Sequence, residues 1–155
     1  MRSKGVVFSF QGAFALIAML FTGMVMVYSV GNFAGKTIEN EKNAEFERKA
    51  IFLADSMVKN HNPQNPFLGA AVFDSYLGRV RTNVLNLHTL KNASIEQAEI
   101  AQVTVKKIEA LSEAGRKETI FENTQENFSK CLAVQRFIID WEKNVKALLE
   151  VTACE

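Results

Sequence analysis

Apolar and polar positions divide this chain sharply. After Lys4 no charged residue occurs until Lys36, and "VVFSFQGAFALIAMLFTGMVMVYSV", which begins at Val6, has only Ser9, Gln11, Thr22, Tyr28 and Ser29 to interrupt its apolar character. A bilayer core of about 30 Å is crossed by about 20 helical residues, so the run spans it with length to spare. The apolar region of a secretion signal stops after about 7 to 15 residues. A core helix of a soluble protein keeps a polar face somewhere, and this run has none. Residues 6–35 are therefore expected to form a transmembrane or assembly helix. Arg2 and Lys4 precede it, while Lys36 is soon offset by Glu39 and Glu41. That asymmetry favours a single pass with the N-terminus inside and the remainder outside.

From residue 36 to residue 60 the pattern changes without a break. "TIENEKNAEFERKAIFLADSMVKN" places Phe46, Ala50, Leu53, Ala54, Met57 and Val58 on one stripe at helical spacing, with Glu39, Glu41, Glu45, Glu47, Arg48 and Lys49 largely off it. Asn60, Asn62 and Pro63 then stop the helix. The first half of such a helix needs lipid or other apolar helices around it. The second half needs a folded domain lying along its stripe, with Phe46, Ala50, Leu53 and Met57 as the packing residues.

Residues 61–155 read as that domain, and as β-rich. "GAAVF" and "RVRTNVL" flank "DSYLG", where Asp74 and Gly78 suit a hairpin turn. "ETIFEN" is short and alternating, and "SEAGRK" before it carries a glycine turn. The stretch from Ile95 to Leu111 is open: its β-branched residues favour strand, while Ser94 followed by Gln97 has the spacing of a helical capping box. The last two segments, "CLAVQRFIID" and "VKALLEVTACE", can be tested against each other. A turn centred on Glu142 and Lys143 pairs Val134 with Val151, Phe137 with Leu148 and Cys131 with Cys154. Glu-Lys is not a favoured two-residue turn, but symmetric lengthening of the loop keeps the register. Cysteines opposed in this way bring their Cα atoms to about 4.5 Å, close enough for a disulfide. An extracytoplasmic location would sustain it.

Charge and chemistry narrow the function classes. The formal net charge is +1 for 155 residues, and no Lys/Arg cluster with interleaved aromatics marks a nucleic-acid surface. His61 and His88 stand apart from each other and from any C-x-x-C pair, no phosphate loop or nucleophile elbow occurs, and the acidic residues read as a solvated face. No catalytic residue, metal or cofactor is expected. Asn92 in "NAS" and Asn127 in "NFS" match the glycan acceptor pattern. In the apolar run Gly31 and Gly35 form a G-x-x-x-G pair, and Gly12 and Ala15 are among the small residues of the earlier turns, where helices can approach closely.

Several of these stretches together are similar to archaeal type IV pilin-like proteins. The resemblance is carried by "RSKGVVFSFQGAFALIAML", which looks like a short basic leader ending in Lys-Gly followed by the start of a long apolar helix, and by "FLADSMVKN", "NPFLGAAVFD", "RVRTNVL" and "CLAVQRFIID" with a terminal "CE". It implies an α+β fold in which a long N-terminal helix carries an antiparallel sheet on its distal half. It also implies removal of residues 1–5 by a prepilin peptidase cutting between Gly5 and Val6. The implied partners are the membrane, further pilin-like subunits and the pilus assembly machinery. One position departs from the family's pattern: the acidic residue placed early in the mature helix is Gln11 here. An amide there can hydrogen-bond but cannot pair its charge with a neighbour's N-terminal amine. Two readings follow: a structural subunit of a filament or pseudopilus, or an uncleaved, signal-anchored extracytoplasmic binding or accessory domain.

Overall fold

The computed structural model describes residues 4–100, 102–125 and 127–155, with side chains from residue 10 onward except residue 11. Residues 1–3 of the expected leader and the side chains of Val6 and Gln11 lie outside the described residues. Helix α1 runs Lys4–Lys59. It is followed by β1 (Ala71–Asp74), β2 (Arg79–Leu85), the short helix α2 (Leu87–Lys91), a 3₁₀ turn (Ile95–Ala98), β3 (Glu99–Ile100), β4 (Val103–Ser112), β5 (Lys117–Glu122), β6 (Cys131–Asp140) and β7 (Val145–Cys154). The chain forms two compact units, one ending at Asn43 and one running Ala44–Glu155. The fold class is α+β, and the second unit contains the end of α1 together with all the strands.

In the first unit every described side chain from Phe10 through Phe33 is exposed, in keeping with the absence of a polar face. The helix is long and apolar enough to cross a membrane. Thr22 and Thr37 direct their hydroxyls onto carbonyls one turn back, at Ala18 (2.7 Å) and Phe33 (2.9 Å), so neither presents an unsatisfied donor to an apolar surrounding.

In the second unit the strands form one sheet in the order β1-β2-β6-β7-β4-β3, with β5 also on β4. The expectation of an antiparallel sheet needs one correction: β2 joins β6 in parallel, with Val84 opposite Ile139 and Leu85 opposite Asp140. The β1–β2 hairpin closes as its turn residues dictate. Asp74 accepts from the backbone of Tyr76 (3.0 Å) and Leu77 (3.1 Å), and Gly78 takes φ 63°, a conformation open to glycine at little cost. For residues 95–111 both readings hold in part. Gln97 accepts from the Ser94 backbone (3.1 Å) at the head of a single 3₁₀ turn, after which β3 and β4 form a tight antiparallel pair that reverses at Gln102, with φ 71°.

The core lies between the end of α1 and the sheet. Phe46, Ala50, Leu53, Ala54, Met57 and Val58 are buried, in one cluster with Val105, Ile108, Val134, Ile138, Leu149 and Val151. Burial alternates along β7, where Ala147, Leu149, Val151 and Ala153 face inward, so the period of two in the sequence is the period of the pleat. Phe67 is fully buried from the connector after α1 and meets Phe121 edge-on at 4.8 Å.

Candidate functional site

The C-terminal hairpin has the expected register throughout. Val134 faces Val151, Phe137 faces Leu148, and Cys131 faces Cys154. The turn is four residues, Trp141 to Asn144, because the last pair is Asp140 with Val145. Cys131 and Cys154 are joined in a disulfide with Cα atoms 4.1 Å apart. Both cysteines are thus committed, and among the described residues no group of His, Cys, Asp and Glu side chains could hold a metal ion.

The helix residues expected to pack on the domain do so. Leu53 is 2% and Met57 0% exposed, while Glu47 is exposed. Polar contacts fasten the same segment: Arg136 Nε donates to Asp55 Oδ1 at 2.6 Å, and the Met57 carbonyl accepts from Ala70 at 2.9 Å. Lys59 and Arg136, in that order, hold the Asp55 carboxyl below its ordinary range by hydrogen bonding to the ionised form. Periodicity places neither Arg136 nor Phe67 at this seam, since their partners are distant in the chain. Ile51 and Phe52 also escape the periodic stripe. Both are exposed, and Ile51 lies beside β6, in an open surface cleft with Leu132, Val134 and Arg136.

Of the assembly-helix residues, Gly12, Ala15, Gly31 and Gly35 all lie on α1 and are exposed, and a Cβ added at any of the three glycines meets nothing within 4 Å. Asn92 and Asn127 are both exposed. Asn92 caps α2 and its amide lies 3.1 Å from the His88 ring, whereas Ser129, two residues beyond Asn127, donates to the Glu155 carbonyl at 3.0 Å. Comparison with protein-family models, curated proteins and solved structures gave no match to this chain.

Proposed function

We propose that the protein is a pilin-like structural subunit, held in the membrane by the N-terminal half of α1 and assembled with other subunits into a surface filament or pseudopilus through that same surface. The observation that carries this reading is the helix from Gly12 to Phe33, without a charged residue and exposed on all sides. A lone anchor needs about 20 residues of that kind and gains nothing from close-approach glycines. A subunit that leaves lipid for a bundle of identical helices meets apolar surroundings in both states, and small residues at Gly12, Ala15, Gly31 and Gly35 allow backbones to approach. The exposed Ile51 and Phe52 give the second unit an apolar surface of its own for a neighbouring subunit to cover. The rest of the chain suits display, being a disulfide-closed sheet built on the end of the helix.

Processing tests the reading. N-terminal sequencing and intact mass of the protein from its producing cell should find Val6 as the first residue. A chain that retains Met1 to Gly5 and never leaves the membrane fraction would replace this reading with that of a signal-anchored accessory domain.

A further inference from the structure

At one end of the sheet four separate segments enclose a cleft of about 280 Å³. The connector after α1 supplies His61, Asn62 and Pro63, β1 supplies Phe73, the β2–α2 junction supplies Asn86 and Thr89, and the β6–β7 turn supplies Trp141. The walls are amphipathic. Phe73 and Trp141 are 46% and 48% exposed, with the His61 ring 5.7 Å from that of Phe73 and the Arg81 guanidinium over one face of Trp141 at 5.3 Å. The lining also carries polar side chains whose hydrogen-bonding capacity the fold uses only in part. Asn62 and Asn86 spend their side-chain oxygens on backbone amides of Gln64 (3.0 Å), Asn65 (3.1 Å) and His88 (3.1 Å), and their Nδ2 groups make no hydrogen bond among the described residues. The indole N–H of Trp141 has none among them either. His61 Nδ1 lies 2.8 Å from the Ala71 carbonyl, which can only accept, so that nitrogen carries the hydrogen and Nε2 is the free acceptor of the neutral ring.

We infer that this cleft binds a neutral saccharide unit. No Asp, Glu, Lys or Arg lines it, and the guanidinium of Arg81, which lies over the Trp141 ring, is engaged by Asp74 through Nε and Nη2. A phosphorylated or carboxylated ligand would find no charge partner among the lining residues. An extended peptide would need open backbone groups to pair with. At the connector, the start of β1 and the β2–α2 junction these are taken: Asn62 N on Gly69 O (2.8 Å), Ala71 N on Asn60 O (2.9 Å) and Asn86 N on Ala70 O (3.4 Å). What remains is a ligand with an apolar face for the aromatic rings and hydroxyls for dispersed amide, indole and imidazole groups, in a space just below the roughly 300 Å³ at which drug-sized sites begin. A sugar ring has that chemistry. The inference does not depend on whether the helix polymerises.

Trp141 is the single tryptophan of the chain, so its fluorescence reports this cleft alone. The full chain, purified in a phosphocholine detergent without sugar headgroups, is to be applied to a glycan array and its hits titrated by tryptophan emission and saturation-transfer NMR. The expected result is saturable binding of one or more neutral glycans, about tenfold weaker in Trp141→Ala by NMR. Phe137→Ala, at an 83% exposed position on β6 outside the cleft, should bind as the parent does. Far-UV circular dichroism of both variants establishes that they fold. The inference is overturned by an array with no neutral glycan above the Trp141→Ala background, by binding confined to anionic glycans, or by saturation with uncharged peptides instead.

Discussion

Arg136 on β6 donates to Asp55 on α1 across 2.6 Å, joining residues 81 apart in the chain. The pair is partly shielded at the seam between helix and sheet, and Lys59 holds the other carboxylate oxygen at 2.8 Å. Both cations stabilise the ionised form, so the Asp55 pKa lies below its ordinary 3.8 in the folded protein. A lowered carboxylate pKa adds stability that is present above the unfolded value and is lost as pH falls through the folded one. Arg136→Met should therefore lower stability by about 1 kcal/mol at neutral pH. The difference from the parent should shrink as pH falls below 3.8, measured by urea unfolding across the acid range. A gap that stays constant with pH would mean that packing of the Arg136 stem, and not its charge, is what was removed.

The disulfide should contribute more. It closes a loop with a sequence separation of 23 residues, which the chain-entropy model values at about 3 kcal/mol. Non-reducing peptide mapping should recover a Cys131–Cys154 pair from natively isolated protein, and Cys131→Ala/Cys154→Ala should unfold at clearly lower denaturant concentration. Two alkylatable thiols in native material would contradict the pairing.

Along the buried stripe, Leu53→Asp or Met57→Asp places an uncompensated charge in the core and should cost several kcal/mol. Glu47→Lys, on the exposed face, should stay within about 0.5 kcal/mol of the parent. Thermal unfolding of the three variants ranks them directly.

Gly69 sits where the connector folds back on itself. A Cβ there would lie 2.8 Å from the Asn60 carbonyl and from the Asn62 nitrogen, both backbone atoms that cannot swing aside. Gly69→Ala should force the loop apart and cost about 1 to 3 kcal/mol. Loss of hydrogen-exchange protection at the Asn62 amide, which bonds to the Gly69 carbonyl, would localise the damage.

On the assembly reading, Gly12→Leu and Ala15→Leu should insert into membranes as the parent does, because lipid accommodates leucine and nothing within the chain lies close to a Cβ at Gly12. Filament recovered by shearing should fall while the membrane-bound pool persists. Unchanged amounts in both fractions would favour the solitary anchored domain.

Local chemistry alone determined a good part of this protein. A continuous uncharged run, a stripe at helical spacing ending at Asn60, turn residues at Asp74 and Gly78, and two segments whose alternation and cysteines match in only one register are all written within a few residues or in one antiparallel hairpin. Such contacts follow from periodicity and turn geometry without reference to the rest of the chain. Tertiary structure decided what those rules do not reach. The parallel contact of β2 with β6, the seat of Arg136 on Asp55, the burial of Phe67 against Phe121 and the meeting of His61, Asn86 and Trp141 around one cleft all join residues far apart in sequence. Their placement depends on how the whole sheet closes over the helix stripe, because a buried apolar surface fixes which faces meet and no local pattern specifies the partner. The same reason explains residues 95–111, where a capping signal and a β-branched stretch compete. Strand takes over after Ala98, where β3 pairs back on β4 and β4 in turn pairs along β7, ladders that the single turn begun by Ser94 and Gln97 does not supply.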